Sequence, residues 1–390
     1  MPDSPPIETL RIEKLVYGGD GLARVDGRVV LTPYVLPGEL VEVRLQRAKN
    51  DLFRGALLKV VEASPLRVAP ACPYFAGCGG CHYQHTTYEH QLEQKRAILA
   101  EVFRRVGRIE LEHEIGVVAG DPWRYRNRTQ LHAHNGKVGF FAPGSHEAIA
   151  VDHCPIASPK LNDAIATLTR ELPQYRGFDT TIELFTNETE VQVNVMDRVP
   201  APVRPLFEEL GTSLPIEQGA FRVSRNSFFQ VNRFLIDRLV EVAIGEAEGG
   251  SALDLYAGVG LFAKTLTGRF REVAAVETGG SAFRDLEFNM QRAGLAVACV
   301  KQTAEDYLAA LDATPDWIVA DPPRAGLGKQ VARELLRLRA PRLTIVACDP
   351  STLARDLRVL LDGGYRLKSS TLVDLFPQTY HLETVVQLYV

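Results

Sequence analysis

The chain has 390 residues, of which 46% are hydrophobic and 24% charged, and its formal net charge is −4. These values are typical of a globular protein of roughly two or three domains, and they exclude a disordered chain, a collagen-like repeat and a coiled coil. Six cysteines are too few for a disulfide scaffold, and no run of about 18 apolar residues could span a membrane. The first residues lack the composition of a secretory signal, so we expect a cytoplasmic protein.

Residues 1–63 are predicted to form a small β-barrel. Apolar and polar residues alternate from Val41 to Gln46, which is the period of a half-buried strand. Asp26-Gly27 lies between two apolar runs and is typical of a tight hairpin turn. Several short strands with closely spaced turns favour a closed, five-stranded barrel of the OB type. Such barrels often bind single-stranded nucleic acid, although the fold alone does not establish that function.

A cysteine-rich segment follows the barrel. Cys72, Cys78 and Cys81 are separated by five and two residues, and Cys154 lies far downstream. Four thiolates are soft ligands, and this spacing by itself allows either a zinc ion or an iron–sulfur cluster. Neighbouring glycines at 77, 79 and 80 permit the tight loop that a metal site needs. The alternative interpretation is four structural thiols without a metal.

Residues 64–229 are predicted to be a central α+β region. A helix is expected from about Tyr88 to Arg105, and a hairpin turn is expected at Asn187–Thr189. Between Pro122 and His146 the chain has no acidic residue, but it carries several cations, among them Arg124, Arg126 and Arg128. A second stretch of this kind lies between Gln218 and Ile236. Both stretches are either solvated faces or parts of a phosphate-binding surface for RNA.

Residues 230–390 are predicted to be an α/β domain. A helix is expected from about Asn232 to Ile244. Strand-like runs then alternate with helix-like runs, which is typical of a parallel, doubly wound sheet, here expected to continue to the C-terminus. The strand-like runs are Ala252–Tyr256, Glu272–Glu277, Trp317–Ala320 and Leu343–Ala347.

The first of these strands leads into a glycine turn. Gly258-x-Gly260-x-x-Ala263 fits the dinucleotide fingerprint, and Glu277 at the next strand end can hold the hydroxyls of a ribose. A tight turn without ligand and an NAD-binding loop are both possible interpretations. Two features favour S-adenosylmethionine instead. Asp254 lies inside the first strand, and the segment from Asp321 to Arg324 follows the fourth strand, where α/β sheets bind ligands.

A cysteine and a carboxylate near the C-terminus are candidates for catalysis. Cys348 follows a buried strand and precedes a helix, a position in which the pKa of a thiol can be lowered. A buried, inert cysteine is the alternative, and Cys299 in an apolar stretch is expected to be one. Glu383 precedes the last strand-like run, Thr384–Val390. A lone carboxylate there would be a surface residue, but beside a thiol and a methyl donor it has a use as a base.

Five motifs together resemble the RNA uridine-5 methyltransferase family. They are Ser227-Phe-Phe-Gln-Val-Asn232, Asp254-Leu-Tyr-Ala-Gly-Val-Gly260, Asp321-Pro-Pro-Arg324, Cys348-Asp-Pro-Ser-Thr-Leu-Ala-Arg-Asp356 and Phe376-Pro-Gln-Thr-Tyr-His-Leu-Glu383. The N-terminal barrel resembles the TRAM domain that many members carry. The departures are modest: Ala257, Leu261 and Asp349 stand where many relatives have other residues.

The resemblance implies a class I, Rossmann-like methyltransferase domain and methylation of a uridine at carbon 5. It implies that Cys348 is the nucleophile and Glu383 the base, and it places Gln230, Tyr256, Glu277 and Asp321 at the cofactor. Phe228 is a candidate to stack on the target base, which must leave its own stack to be reached.

The resemblance also shifts the four-cysteine site towards a 4Fe–4S cluster, with zinc as the alternative. It makes 23S ribosomal RNA the expected substrate, with transfer RNA as the alternative. Two other classes of protein stay open at this point: an RNA-binding factor without catalysis and an NAD-linked oxidoreductase.

Overall fold

The computed structural model describes residues 6–49, 52–134, 136–175 and 177–390. The chain forms two compact units. The first unit extends to Ile98 and includes two later segments, Phe140–Ile149 and Phe376–His381. The second unit comprises Leu99–Gly139, Ala150–Leu375 and Leu382–Val390. In the part of the chain that is described, every helix is too short or too polar to cross a lipid bilayer. The expected domain boundaries after residues 63 and 229 stay predictions.

The N-terminal part of the first unit is a six-stranded sheet. Its strands are β1 (Ile7–Arg11), β2 (Lys14–Leu15), β3 (Asp20–Val25), β4 (Arg28–Pro33), β5 (Leu40–Lys49) and β6 (Leu52–Glu62), in the order β1-β5-β6-β4-β3-β2. Strands β1 and β3 lie close together although they are not neighbours in this order, so the sheet curls around a core that includes Leu10, Ala23 and Val43. The OB-like fold is thereby confirmed, with six strands rather than five because β2 is too short to give a periodic signal. Asp26 and Gly27 form the predicted turn between β3 and β4, both with positive φ.

The middle of the chain contains the predicted helix and hairpin. Its elements are α1 (Tyr88–Val102), a π-helical turn (Phe103–Gly107), β7 (Gly116–Val118), β8 (Arg128–His134), β9 (Lys137–Phe141), β10 (Ala148–Ala150), α2 (Pro159–Glu171), a 3-10 turn (Leu172–Gln174), β11 (Thr180–Thr186), β12 (Val191–Val195) and α3 (Arg204–Leu210). Strands β9, β8, β11 and β12 are antiparallel neighbours in that order. The hairpin between β11 and β12 confirms the turn predicted at Asn187–Thr189.

The remaining elements build the α/β part of the second unit. They are β13 (Ile216–Gln218), β14 (Phe221–Val223), α4 (Ile236–Ile244), β15 (Gly249–Leu255), α5 (Leu261–Leu266), β16 (Phe270–Val276), α6 (Gly280–Arg292), β17 (Val297–Val300), α7 (Ala304–Ala310), β18 (Trp317–Ala320), α8 (Gly328–Leu338), β19 (Arg342–Ala347), α9 (Pro350–Asp362), β20 (Arg366–Val373) and β21 (Glu383–Tyr389). An eight-stranded sheet has the order β17-β16-β15-β18-β19-β21-β20-β7.

The expectation of a parallel sheet to the C-terminus is wrong for the last strands. Strands β15 to β19 are parallel, but β21 lies antiparallel between β19 and β20. No helix separates β20 from β21, and a short connection of this kind joins antiparallel strands. Strand β7, from the region predicted to be central, pairs with β20 at the edge of this sheet. Alternation of apolar residues predicts a strand but not its direction.

Helix α4 begins later than predicted. It starts at Ile236 rather than near Asn232. The Asn232 side chain accepts a hydrogen bond from the Phe234 amide at 3.0 Å and donates one to the Leu375 carbonyl at 3.2 Å. These bonds fix a turn before the helix, since an asparagine side chain competes with the backbone for hydrogen bonds.

Candidate active site

The candidate site lies at the carboxyl ends of the parallel strands in the second unit. Strand β18 ends just before Asp321 and β19 just before Cys348. Because β21 runs in the opposite direction, its first residue, Glu383, reaches the same edge. Ala347 pairs with Thr384, which sets Cys348 and Glu383 side by side on neighbouring strands. The fold thus brings together three side chains that belong to separate sequence motifs.

The surroundings of the half-buried Cys348 thiol disfavour its thiolate. Burial, followed by the negative charge of Glu383, raises the pKa of Cys348 to about 11, while the Arg324 guanidinium opposes this rise. The expectation that a helix N-terminus lowers this pKa is therefore wrong. Helix α9 begins at Pro350, and the carboxylate of Asp349 already caps its first turn. A negatively charged cap offsets the positive end of the helix dipole.

Two carboxyl groups share the edge with the thiol. Glu383 is only 5% exposed, and desolvation, followed by the charge of Asp321, raises its pKa well above the usual range. Desolvation also raises the pKa of Asp321. Arg324 acts against the rise at Glu383. Two carboxyl groups in a poorly solvated place do not readily carry two negative charges at once.

The loop after β18 is docked against α9. The Leu327 amide donates to the Asp356 carboxylate at 2.8 Å. Gly326 has a φ of +82°, and a Cβ at this position would overlap the side chains of Thr352 and Asp356. Only glycine fits there without a shift of the loop. The docked loop leaves Arg324 exposed, and Arg324 lines a small cavity together with Cys348.

The sequence motifs contain Arg324 and Asp356, but spacing alone assigned no role to either side chain. Their functions depend on which groups the fold places opposite them. Arg324 faces the thiol and a carboxyl group, and Asp356 anchors the loop that carries Arg324.

The glycine turn between β15 and α5 has room for a ligand. Gly258 and Gly260 have φ values of +56° and +97°. The Gly258 amide donates to Oε2 of Glu277 at 2.9 Å, which ties the turn to the end of β16. A Cβ on Gly258 would meet nothing within 4 Å, so the turn faces open space. A carboxylate beside an open glycine turn suits the ribose hydroxyls of an adenosine cofactor.

Asp254 has a structural role inside the first strand of the turn. It is fully buried, and its Oδ2 accepts the Ala263 amide at 2.8 Å. Burial raises its pKa well above the usual range. Its other oxygen has no hydrogen-bond partner among the described residues. Asp254 therefore ties β15 to the start of α5.

The segment that contains Phe228 and Gln230 lies beside the glycine turn. Phe229 packs in one apolar cluster with Val259 of the turn. Phe228 points outward and is 58% exposed, whereas Gln230 is buried. Tyr256 is half-buried at the end of β15, and burial raises its pKa. An exposed aromatic ring next to a ligand turn is suitably placed to stack on a base.

The predicted arginine stripe does not share one environment. Arg124 is exposed and Arg126 is half-buried. Arg128 is buried: it donates to the Ser227 carbonyl at 2.8 Å, and its guanidinium lies 4.5 Å from the centre of the Phe185 ring. The prediction of a surface RNA contact is therefore wrong for Arg128, whose cationic side chain is used inside the protein.

The four cysteines predicted as metal ligands are divided between the two units. Cys72, Cys78 and Cys81 belong to the first unit and Cys154 to the second. The Gly80 amide lies 3.4 Å from the Cys78 sulfur, to which it donates. Among the described residues, no three or more His, Cys, Asp or Glu side chains are grouped as metal ligands. The thiol chemistry of the four cysteines suits an iron–sulfur cluster.

Two family descriptions match this chain. Residues 190–390 match the family described as tRNA (Uracil-5-)-methyltransferase, and residues 7–58 match the TRAM domain.

Relatives and a solved structure match over nearly the full chain. An uncharacterized RNA methyltransferase from Aquifex aeolicus is 31% identical over 98% of both chains. A 23S rRNA (uracil(1939)-C(5))-methyltransferase from Chromohalobacter salexigens is 31% identical over 99% of this chain and 90% of its own. The crystal structure of a Pyrococcus abyssi tRNA (uracil-54, C5)-methyltransferase with S-adenosyl-L-homocysteine has a TM-score of 0.78 at 25% identity, covering 98% of this chain and 100% of its own.

Proposed function

The chain belongs to the tRNA (Uracil-5-)-methyltransferase family, and on that basis we propose that it methylates a uridine of 23S ribosomal RNA through a covalent bond to Cys348. It is an S-adenosylmethionine-dependent RNA methyltransferase with an N-terminal TRAM domain. The observation that carries the covalent route is the placement of Cys348 and Glu383 side by side at the ligand edge of the sheet.

The proposed chemistry starts from the low nucleophilicity of carbon 5 of uracil. The Cys348 thiolate adds to carbon 6, and the electrons of the carbon 5–carbon 6 double bond move into the ring as an enolate. Bound S-adenosylmethionine would supply an electrophilic methyl group: carbon 5 would form its new bond to the methyl carbon as the methyl–sulfur bond breaks, and S-adenosylhomocysteine would be the leaving group. The Glu383 carboxylate then takes the proton from carbon 5. The electrons of that C–H bond re-form the double bond, the carbon 6–sulfur bond breaks, and the Cys348 thiolate is released.

Other residues bind and orient in this proposal. Glu277 and Gly258 form the ribose side of the donor site, and Gln230, Tyr256 and Asp321 complete its walls. Arg324 stabilises the thiolate of Cys348 against the neighbouring carboxyl groups. Phe228 stacks on the base, and the exposed cations, Arg124 first, contact phosphates of the RNA.

A trapping experiment tests the covalent step. A base cannot remove fluorine from carbon 5 as it removes a proton, so RNA with 5-fluorouridine, incubated with the wild type and S-adenosylmethionine, should form an adduct that survives a denaturing gel. Cys348→Ala should form none. The matched control is Cys299→Ala, which removes a half-buried thiol on β17 and should trap as the wild type does. An adduct with Cys348→Ala, or none with the wild type, would refute the covalent route.

Ribosomal RNA is proposed over transfer RNA because a 23S rRNA enzyme matches almost end to end and because the chain joins a TRAM domain to the four cysteines. The solved relative acts on transfer RNA, which keeps that substrate as the alternative. Methyl transfer should be measured on 23S rRNA fragments and on transfer RNA lacking the modification. Faster methylation of transfer RNA would reverse the assignment.

We further propose that Cys72, Cys78, Cys81 and Cys154 hold a 4Fe–4S cluster, with zinc as the alternative. The support is four soft thiol ligands and an amide that donates to the Cys78 sulfur, a contact that tunes iron–sulfur clusters. No step of the reaction is derived through this group. Protein purified without oxygen should contain about four iron and four sulfide per chain, and Cys78→Ser should lose them. One zinc per chain without sulfide would overturn the proposal.

A further inference from the structure

Two buried polar side chains on α6 contact the segment that leads to the active site. Asp285 and Asn289 are one helical turn apart, so they lie on the same face of the helix. They are 0% and 2% exposed. Burying a polar group raises the free energy of the folded state unless the group is hydrogen-bonded. The partners of Asp285 and Asn289 therefore identify the segments that this face of α6 holds in place.

Asp285 binds the loop just before Phe228. Its Oδ2 accepts the Ser224 amide and the Ser227 hydroxyl, each at 2.7 Å, and its Oδ1 accepts the Ser224 hydroxyl at 2.7 Å. The Arg222 guanidinium lies 3.4 Å from Oδ1. These hydrogen-bond donors compensate the free-energy cost of burying the carboxylate, and the same bonds hold the loop in place.

Asn289 connects the same segment to the glycine turn. Its Oδ1 accepts the Arg222 amide at 2.8 Å, and its Nδ2 donates to the Arg222 carbonyl at 3.1 Å. The same Nδ2 also donates to the Val259 carbonyl at 3.0 Å. One side chain therefore fixes both β14 and the turn that faces the donor.

We propose that Asp285 and Asn289 are positioning residues that hold the segment carrying Phe228 in register with the glycine turn. This rests on the proposed function, because it assigns the RNA side of the site to that segment. Asp285 contacts residues 222 to 227, whereas the donor turn is held by Glu277 and Asn289. Loss of Asp285 should therefore disturb the placement of the target uracil more than the binding of the methyl donor.

The test compares two carboxylates in the full chain. Asp285→Asn removes the charge and keeps the shape. Its control is Asp316→Asn, since Asp316 is also a carboxylate that accepts backbone amide hydrogen bonds, here from Gly250 and Ser251, but at the amino end of β15. In Asp285→Asn, trapping of 5-fluorouridine RNA should slow by about tenfold or more while the Kd for S-adenosylmethionine changes by less than about threefold. Asp316→Asn should change neither.

A double-mutant cycle separates positioning from general loss of stability. If Asp285 acts through Phe228, then Asp285→Asn should slow trapping only slightly further in a Phe228→Ala background. Ser224→Ala should show a smaller defect of the same kind, and Ser224→Thr, which keeps the hydroxyl, should restore trapping. The serine pair also tests the idea if Asp285→Asn does not fold.

Three results would overturn the inference: full additivity with Phe228→Ala, equal losses of donor affinity and trapping, or the same pattern in Asp316→Asn. If the wild type forms no adduct, the proposed function fails instead. The equilibrium affinity for RNA of Asp285→Asn against Asp316→Asn then decides the positioning role separately.

Discussion

At the scale of single residues, the site places one thiol, two carboxyl groups and one guanidinium at a poorly solvated edge. Burial, followed by the negative charge of Glu383, raises the pKa of Cys348, and Arg324 lowers it. Near pH 7 the nucleophile is therefore mostly a neutral thiol. Arg324 is the charged side chain that favours the thiolate of Cys348, because a neighbouring positive charge stabilises the negatively charged form of a thiol.

This balance predicts the pH dependence of trapping. With a pKa of about 11, the thiolate fraction of Cys348 rises as the pH rises, so trapping of 5-fluorouridine RNA should accelerate from pH 7 to pH 10. Arg324→Gln removes the opposing charge and should slow trapping at pH 7 by about tenfold, the equivalent of one pKa unit. Arg324→Lys keeps the positive charge, so its trapping rate should fall by less than that of Arg324→Gln. An equal loss of trapping rate in Arg324→Gln and Arg324→Lys would contradict this role.

The proposed role of Glu383 as the base predicts that its substitution makes a methylated intermediate accumulate. With ordinary uridine RNA, Glu383→Gln should complete the methyl transfer but fail to remove the carbon 5 proton. A methylated protein–RNA adduct should therefore accumulate and be visible on a denaturing gel, whereas the wild type should show little. Normal release of methylated RNA by Glu383→Gln would exclude this residue as the base.

At the scale of elements, the direction of β21 decides whether the site exists. Glu383 is the first residue of β21, and only an antiparallel strand brings its first residue to the edge where β19 ends. The loop after β18 is the second deciding element, since its docking on α9 sets the position of Arg324. In each case a backbone segment lies against another element: β21 pairs with β19, and the loop after β18 contacts α9.

The docking of this loop predicts a contrast between two glycines. Gly326 and Gly328 both have positive φ, but a Cβ on Gly326 would overlap Thr352 and Asp356, and one on Gly328 would meet nothing within 4 Å. Gly326→Ala should therefore destabilise the chain by about 1–3 kcal/mol more than Gly328→Ala, measured by urea unfolding. It should also slow trapping. Equal unfolding free energies would mean that the loop can shift to make room.

At the scale of the whole molecule, the formal net charge is −4, but two stretches of the chain carry arginines and no acidic residue. Such stretches are suited to contact RNA phosphates. Binding of RNA depends on cations that reach phosphates, and buried cations do not contribute to it. The structure divides the predicted arginines accordingly, with Arg124 exposed and Arg128 buried.

This division predicts two different outcomes of charge reversal. Arg124→Glu should weaken RNA binding and reduce the slope of log affinity against log salt by about one, with donor affinity unchanged. Arg271→Glu, an exposed reversal at the amino end of β16, is the control and should leave RNA affinity unchanged. Arg128→Glu should lower the unfolding free energy instead, because it puts a second negative charge near Glu183. Unchanged RNA affinity in Arg124→Glu would exclude this patch.

The sequence alone determined the class of the protein and the identity of its candidate groups. Glycines at 258 and 260, an acid at the next strand end and a cysteine after β19 are local features, and each requires a particular residue type at one place in the chain. Apolar periodicity likewise placed β15, β16, β18, β19 and β21 to within a few residues, but it did not predict β7, β17 or β20.

Only the tertiary structure decided the properties of a residue that depend on residues distant in the chain. The reversal of β21, the burial of Arg128, the raised pKa of Cys348 and the contacts of Asp285 each involve groups tens of residues apart or more. Burial and charge act through space, so a side chain's environment is set only when the fold brings its neighbours to it.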